Sequence, residues 1–246
     1  MNFIGIVPAR YASFRFPGKP LAEIQGKKMI ERVYEQAGKV LEHLWVATDD
    51  KRIADEVSRF GGKVVMTSKE HASGTDRVAE AIDIIQQKTG LQFDIVVNIQ
   101  GDEPFIQPGQ IEELTSCFDD QDVDIATLVK LIEKNDEIFN PNIPKVILNQ
   151  NNEALYFSRS PVPYIRNVHK ENWHTCHNFK KHLGMYAYRT QVLEAITKIK
   201  PSPLEKAESL EQNRWLEWGY KIKVSYTRFK NYPIDTPEDI ENLPHF

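Results

Sequence analysis

The chain has 246 residues, of which 41% are hydrophobic and 27% are charged, a balance typical of folded domains and not of disordered chains. Its formal net charge of −4 argues against a nucleic-acid partner, because proteins that bind nucleic acids generally carry a basic excess that neutralises phosphates. Two cysteines, Cys117 and Cys176, are too few for a disulfide framework, and no charged-then-apolar leader or long apolar span opens the chain. We therefore expect a cytoplasmic protein with no membrane partner.

The first half of the chain alternates apolar runs with helical patterns. The apolar runs predict buried strands at 3–8, 44–48, 63–67 and 94–100. The helical patterns predict helices at 27–40, 51–62, 75–90 and 109–118. Because parallel strands are joined by crossovers that usually contain a helix, this order predicts an α/β fold with a Rossmann-like, mostly parallel sheet and helices on both faces. In such sheets ligands bind outside the carboxyl ends of the strands, so the loops that follow the strands are the candidate sites.

The pattern changes after about Asp122, where strands become more frequent than helices. Apolar runs predict strands at 124–132, 144–160 and 181–189, with the "NQNNE" segment as a hairpin turn and with 167–181 as a surface loop. The chain then closes with helices at 190–199 and 202–219, a strand at 221–227 and a helix at 236–243 that has Thr236 as its N-cap. We predict a single domain, 1–246, in which about 122–190 form an antiparallel extension.

A strongly cationic loop, "VPARYASFRFPGKP", follows the first strand. It carries Arg10, Arg15 and Lys19 at the carboxyl end of that strand, where they could surround a polyanion such as a triphosphate. Gly18 would allow the backbone to approach the phosphates, and the prolines would stiffen the loop. The loop is neither a Walker P-loop nor a GxGxxG fingerprint. A solvated surface loop whose arginines only aid solubility is the alternative interpretation.

Two carboxylates also follow predicted strands. Asp102 comes directly after the apolar run in "DIVVNIQGDEP", and it is a candidate magnesium ligand because hard divalent ions bind carboxylate and phosphate oxygens together. Asp235 lies in "YPIDTPED", just before the last predicted helix. Taken alone, an acidic loop of the Asp102 kind is commonly a polar turn with Asp as a local cap, and Asp235 by itself is more often a turn residue than a metal ligand.

These loops, in their order along the chain, resemble the 3-deoxy-manno-octulosonate (Kdo) cytidylyltransferases, also called CMP-Kdo synthetases. The resemblance rests on "PARYASFRFPGKPL", "HASGTDRVAE", "NIQGDEP", "ALYFSR", "HLGMYAYR", "SPLEKAESLEQNRWLEWG" and "DTPEDI", which together span nearly the whole chain. It implies a fold of the nucleotide-diphospho-sugar transferase type. It also implies an enzyme that transfers CMP from CTP to the anomeric hydroxyl of Kdo and releases pyrophosphate, which activates Kdo for lipopolysaccharide synthesis.

The resemblance also implies the residues of the site. The residues implied to hold CTP are Arg10, Arg15, Lys19, Ser73, Gly74 and Gln100. Asp102 and Asp235 are implied to bind Mg²⁺, and with Lys19 they form the implied catalytic group. The residues implied to bind the sugar are Arg159 at its carboxylate and His182, Tyr186, Glu211 and Gln212 around its hydroxyls. A planar guanidinium suits a carboxylate because it can donate two parallel hydrogen bonds.

Two positions depart from the family pattern: Phe14, where many relatives carry a small polar residue, and Asp76, where many carry Glu. The antiparallel region, taken with the resemblance, implies a homodimer. Two alternatives remain open. The sugar could be another keto-acid, such as a sialic acid or 8-amino-Kdo, or the protein could be a non-catalytic nucleotide sensor. The presence of both Asp102 and Asp235 argues against the sensor, because binding of CTP alone needs no metal pair aimed at a second substrate.

Overall fold

The structure, a computed structural model, describes residues 1–13 and 15–243, so Phe14 and positions 244–246 of the predicted domain lie outside the described residues. The strands are β1 (Phe3–Ala9), β2 (Glu23–Ile24), β3 (Lys27–Lys28), β4 (Leu44–Thr48), β5 (Val64–Met66), β6 (Ile95–Asn98), β7 (Ile125–Leu131), β8 (Lys145–Leu148), β9 (Ala154–Ser158), β10 (Lys180–Arg189) and β11 (Ile222–Tyr226). The α-helices are α1 (Met29–Ala37), α2 (Lys51–Arg59), α3 (Gly74–Thr89), α4 (Pro108–Thr115), α5 (Asn135–Phe139), α6 (Trp173–Cys176), α7 (Thr190–Ile196), α8 (Pro203–Glu208), α9 (Gln212–Glu217) and α10 (Pro237–Glu241). Within the described part of the chain, no helix has the length and apolar character needed to cross a membrane.

The chain divides into two compact units. The first unit contains Met1–Glu112, Ala187–Thr197 and the described residues from Phe229 onward, and the second contains Glu113–Tyr186 and Lys198–Arg228. The division falls inside β10, after Tyr186.

The first unit is built on four parallel strands in the order β6-β1-β4-β5. The central pair is in register with Val7 opposite Val46, and both side chains are fully buried. Helices α1, α2 and α3 pack on this sheet. The predicted mostly parallel α/β architecture is therefore confirmed, and the loops after β1 and β6 emerge at the same edge of the sheet.

The second unit contains the antiparallel strands that the sequence predicts after Asp122. Strand β8 pairs antiparallel with both β9 and β10, and the "NQNNE" turn joins β8 to β9 as expected. In that turn the Asn149 backbone N–H donates to the Glu153 carbonyl at 2.9 Å, and Asn152 adopts a positive φ of 55°. One pair differs from the expectation, because β7 runs parallel to the last strand, β11.

Two predicted helices are shorter than their sequence patterns suggest. Residues 27–28 form a small hairpin with β2, because Gln25 and Gly26 both have positive φ, 48° and 82°, and close a tight turn. The predicted helix over 202–219 is two helices, α8 and α9, since Ser209 adopts the left-handed conformation with φ of 50°. This break lets Leu210 and Trp215 both enter the core, at 6% and 1% exposure.

The predicted surface loop over 167–181 is only partly a loop. It contains a 3₁₀ turn followed by α6, and Trp173 at the start of α6 is 2% exposed. The Trp173 indole N–H donates to the Val168 carbonyl at 3.1 Å, while its ring packs against Ile138 and Phe179. The polar composition of the segment conceals two buried aromatic side chains, Trp173 and Phe179, which explains why the prediction of a loop was wrong here.

Candidate functional site

An open pocket of about 330 Å³ lies in the first unit, where β1 and β6 end. Six residues that the family resemblance assigns to CTP line this pocket: Arg10, Arg15, Lys19, Ser73, Gly74 and Gln100. Asp102 and Asp235, the two candidate metal ligands, line it as well. The structure therefore brings together eight side chains or backbone positions that come from four separate loops of the sequence.

Lys19 lies at the centre of this arrangement. It begins a short 3₁₀ turn that contains Pro20, and its ammonium donates to Asp102 Oδ2 and to the Ile234 carbonyl, both at 2.8 Å. The Asp235 carboxylate is 3.7 Å away from the same ammonium. One cation thus connects the loop after β1, the loop after β6 and the segment before α10.

The two arginines of the cationic loop are more exposed than Lys19. Arg15 donates from Nη2 to Asp235 Oδ1 at 2.9 Å, in a pair whose side chains are 63% and 47% exposed. Arg10 is also exposed, and among the described residues it has no hydrogen-bond or ion-pair partner. Both guanidiniums therefore lie at the pocket with donors open to solvent.

The conformation of the cationic loop is fixed by its glycine and by a stacked arginine. Gly18 has a φ of 72°, its N–H donates to the Tyr11 carbonyl at 2.8 Å, and a Cβ there would lie 3.0 Å from the Tyr11 ring. The Arg52 guanidinium lies 3.2 Å from the centroid of that ring and is held by two hydrogen bonds to Asp50. The glycine is therefore required here both for its backbone conformation and for the close ring.

The amino end of α3 forms another wall of the pocket. Ser73 is its N-cap: the hydroxyl accepts from the Asp76 N–H at 3.1 Å, and Asp76 Oδ2 accepts from the Ser73 N–H at 3.2 Å. Asp76 therefore completes a capping box with Ser73. Ser73, Gly74 and Arg77 at this end of the helix line the pocket, and the N–H groups of a first helical turn suit an electronegative ligand.

The two candidate metal ligands are aspartates that share Lys19 as a partner, so their oxygens converge on one point of the pocket. Carboxylate oxygens are the ligands that hard divalent cations prefer, so this donor set fits such an ion. The described residues contain no cluster of three or more His, Cys, Asp or Glu able to hold a metal by themselves. Next to Asp102, burial raises the pKa of Glu103 to about 7, although the Asn231 amide donates to its carboxylate at 2.8 Å.

Comparison with known proteins identifies the family. The cytidylyltransferase family model matches residues 4–222. The chain is 59% identical to the 3-deoxy-manno-octulosonate cytidylyltransferase of Parabacteroides distasonis and 56% identical to that of Bacteroides thetaiotaomicron, in each case over 100% of this chain and 98% of the relative. The chain belongs to the 3-deoxy-manno-octulosonate cytidylyltransferase family. A solved CMP:2-keto-3-deoxy-manno-octonic acid synthetase in complex with CTP superposes with a TM-score of 0.89 at 42% identity, covering 98% of this chain and 96% of that one.

The residues that the family resemblance assigns to the sugar all lie in the second unit. They are Arg159, His182, Tyr186, Glu211 and Gln212. Phe157 contacts His182, since the two rings lie 4.9 Å apart, and its backbone exchanges two hydrogen bonds with the side chain of Asn213, the residue after Gln212. The Asn213 amide is 1% exposed and ties the start of α9 to β9. The assignment of these residues to the sugar stays a prediction.

His182 is held in its neutral form. Burial lowers the pKa of its imidazole to about 3, and its Nε2 lies 3.0 Å from the Thr127 hydroxyl. That hydroxyl also lies within hydrogen-bond distance of the Leu183 and Met185 carbonyls, so its single proton is directed to a carbonyl. The His182 Nε2–H therefore donates to Thr127, and Nδ1 is left as an acceptor.

The Arg159 guanidinium is already partly used by the protein, unlike an arginine whose donors are all available to bind a carboxylate. Its guanidinium donates to the carbonyls of Glu208, Pro141 and Ser209, at 2.6, 2.9 and 3.4 Å. Its backbone N–H donates to the Glu208 carboxylate at 2.9 Å. Three of its five side-chain N–H donors are thus used by the protein, which leaves two for a ligand.

Gln212 and Glu211 begin helix α9. Gln212 is 5% exposed, and its amide nitrogen has no hydrogen-bond partner among the described residues. An unpaired buried amide donor costs about 1–3 kcal/mol, so this nitrogen is a strong candidate for contact with a ligand oxygen. Glu211 accepts from Arg214 Nη2 at 2.8 Å.

Several residues at these sites were missed by the sequence analysis. In the pocket of the first unit, His71 lies 2.5 Å from Glu80, and Arg77, 4% exposed, donates to Asp49 at 3.0 Å. Both belong to the "HASGTDR" segment, so this motif is the sequence feature that could have identified them. In the second unit, the buried Lys145 was missed, because a lysine at the start of a strand pattern is ordinarily solvent-exposed.

Proposed function

We propose that this protein transfers CMP from CTP to the anomeric hydroxyl of Kdo, giving CMP-Kdo and pyrophosphate. The relatives at 59% and 56% identity carry this activity in their names, and the similar solved synthetase holds CTP. The observation that carries the proposal is the single pocket lined by the cationic loop, the amino end of α3 and both aspartates. A pocket of this composition suits a triphosphate together with a divalent cation.

In this proposal Arg10, Arg15 and Lys19 bind the phosphates of CTP. In the free protein Arg15 and Lys19 are paired with Asp235 and Asp102, and the triphosphate supplies new anionic partners for both cations. Ser73, Gly74 and Gln100 contact the nucleoside. The anomeric hydroxyl attacks the α-phosphorus in line with the departing pyrophosphate, while the basic side chains offset the negative charge on the phosphate oxygens.

Asp102 and Asp235 are the residues that would hold Mg²⁺, as their convergence on Lys19 supports. When bound, such an ion neutralises phosphate charge and lowers the pKa of a coordinated hydroxyl. Lys19 would then hold both aspartates in place through its contacts with Asp102 and Ile234 and act as a further phosphate ligand. Lys19, Asp102 and Asp235 are accordingly the proposed catalytic group.

We propose that Kdo is bound by the second-unit residues. Arg159 would use its two remaining N–H donors for the sugar carboxylate, and the Gln212 amide, the acceptor Nδ1 of His182, Tyr186 and Glu211 would contact hydroxyls. In this proposal the chain is one nucleotidyltransferase domain in which about 122–190 form the sugar-binding and dimerising extension. The protein would act in the cytoplasm, in keeping with its two free cysteines, Cys117 and Cys176.

A pyrophosphate-release assay tests this function. The protein is mixed with CTP, MgCl₂ and one sugar at a time: Kdo, 8-amino-Kdo or a sialic acid. We expect release with Kdo at a kcat/KM well above that for either analogue. No release with Kdo would refute the proposal, and faster release with an analogue would reassign the sugar.

We also propose a homodimer. Tyr164, Leu155 and Trp218 of the second unit are large apolar side chains with exposures of 73%, 59% and 66%, and exposed apolar side chains of this kind are commonly covered by a partner subunit. Light scattering at micromolar concentration should give twice the chain mass of 28.4 kDa. A monomer mass would refute the dimer without affecting the catalytic proposal.

A further inference from the structure

Lys145 is a lysine with no contact to solvent. It opens β8 in the second unit, its exposure is 0%, and it is among the largest fully buried side chains of the protein. Lysine is almost never fully buried unless it is paired, because removing an ammonium from water costs several kcal/mol. A buried lysine that the fold retains therefore calls for a partner.

The partners of Lys145 are neutral. Its Nζ donates to the Arg159 carbonyl at 2.7 Å and to the Asn140 carbonyl at 2.9 Å. Among the described residues no carboxylate lies within 4 Å of it, and the third of its N–H donors is unused. The charge of this ammonium is thus hydrogen-bonded but not neutralised.

The surroundings of Lys145 contain a local excess of positive charge. The Arg159 guanidinium is also bonded to carbonyls. Within the described part of the chain, Glu208 is the carboxylate that acts on Lys145, and its side chain also accepts from the Arg159 backbone N–H. Glu208 itself accepts from three neutral donors: the Tyr156 hydroxyl, the Ser158 hydroxyl and the Arg159 backbone N–H. On β10, the register neighbour Lys181 is already paired with Glu137 and adds no free charge.

We propose that Lys145 is a positioning residue for the carboxylate of the sugar: it fixes the main chain of Arg159 and adds an unneutralised positive charge beside it. This inference rests on the proposed function. A keto-acid sugar differs from a neutral sugar by its carboxylate, and that carboxylate would neutralise the local positive charge. The positive charge of Lys145 attracts the sugar carboxylate electrostatically without touching it. The two remaining N–H donors of Arg159 hydrogen-bond to that carboxylate.

Burial gives this arrangement a pH dependence. Burial, together with the nearby Arg159 charge, lowers the pKa of Lys145 to about 8, while Glu208 acts in the opposite direction. Lys145 attracts an anion only in its charged form, which is lost as the pH rises through 8. Tyr156 does not compete in this range, since burial and its hydrogen bond to Glu208 raise the pKa of its phenol.

The test compares Kdo with its carboxamide, which has the same shape but no negative charge. Kinetics with each sugar are measured for the wild type, for Lys145→Met and for Lys145→Arg. We expect Lys145→Met to raise the KM for Kdo about tenfold or more, to leave the KM for CTP unchanged and to change the KM for the carboxamide little. Lys145→Arg should restore much of the preference for the acid.

Lys181→Met is the matched control, because it removes a cation from the neighbouring strand that already has a carboxylate partner, and it should leave the preference for the acid intact. Equal losses for Kdo and the carboxamide in Lys145→Met would overturn the inference and assign Lys145 a structural role only. If Lys145→Met does not fold, the wild type alone still tests the inference, since its ratio of kcat/KM for acid over amide should fall as the pH rises through 8. A flat ratio would overturn it, whereas absent turnover of Kdo by the wild type would refute the proposed function instead.

Discussion

The two units of the molecule handle charge in opposite ways. In the first unit Arg15 and Lys19 of the pocket are partly exposed and paired with carboxylates, as in the Arg15 to Asp235 contact with side chains 63% and 47% exposed. In the second unit Lys145 and Arg159 are bonded to main-chain carbonyls, and Lys145 is fully buried. Exposed ion pairs contribute only about 0–1 kcal/mol, so the first set can exchange partners easily. The second set is part of the fold, so its role in binding is harder to separate from stability.

The largest expected effect is at the aspartates of the first unit. Asp102→Asn and Asp235→Asn should each lower kcat about a hundredfold or more, because a neutral amide is a poor ligand for a hard cation. Their unfolding midpoints should stay close to that of the wild type, since both side chains are partly exposed. Initial rates across a magnesium titration check this, with the exposed Asp83→Asn as control. Near-normal turnover in either variant would remove that residue from the metal site.

The next largest effect is expected at Arg159 of the second unit, whose guanidinium is bonded to main-chain carbonyls. Arg159→Lys keeps the charge but loses the planar fork, so the KM for Kdo should rise about tenfold to a hundredfold while the KM for CTP changes little. The variant should also melt at a lower temperature, because the guanidinium holds the carbonyls of Glu208 and Pro141. Kinetics with each substrate varied separately, together with a thermal melt, measure both. An unchanged KM for the sugar would mean that Arg159 only stabilises the fold and does not bind the sugar.

A smaller effect is expected at the exposed arginine of the first unit. Arg15→Gln should raise the KM for CTP about threefold to tenfold, since it removes one phosphate-binding cation, and should hardly change the unfolding midpoint. Arg59→Gln is the matched control, because Arg59 is equally exposed at 63% and pairs with Glu56 away from the pocket. If Arg15→Gln and Arg59→Gln give the same KM for CTP, Arg15 does not bind the phosphates of CTP.

The smallest effect concerns His182, whose buried imidazole has a pKa of about 3, below the usual value of 6.5. NMR should show no titration of its ring between pH 8 and pH 5, with His182→Gln used to assign the resonance. The unfolded chain binds this proton first, so the stability that His182 contributes is present above pH 6.5 and is lost as the pH falls towards 3. A ring that titrates near pH 6.5 would contradict the neutral acceptor assigned to Nδ1.

The first unit was more predictable from sequence than the second. Alternation of strands and helices predicted the parallel sheet, and the rule that ligands bind at the carboxyl ends of strands predicted that Lys19 and Asp102 lie near one site, as their 2.8 Å contact shows. In the second unit the important contacts are between side chains and main-chain carbonyls, which have no sequence signature. The burial of Lys145 and the left-handed conformation of Ser209 depend on tertiary packing. A lysine does not by itself predict burial, and a serine does not by itself predict a positive φ.

The capping box at Ser73 has a consequence for which part of a ligand can lie at that corner of the pocket. The Ser73 backbone N–H and one lone pair of its hydroxyl are already used by Asp76, so the side chain retains its hydroxyl hydrogen and one lone pair for a ligand. The neighbouring N–H of Gly74, in the first turn of α3, is likewise a donor without an intrahelical acceptor. This corner therefore favours a ligand oxygen, because a carbonyl, ribose or phosphate oxygen there can accept from both the Gly74 N–H and the Ser73 hydroxyl.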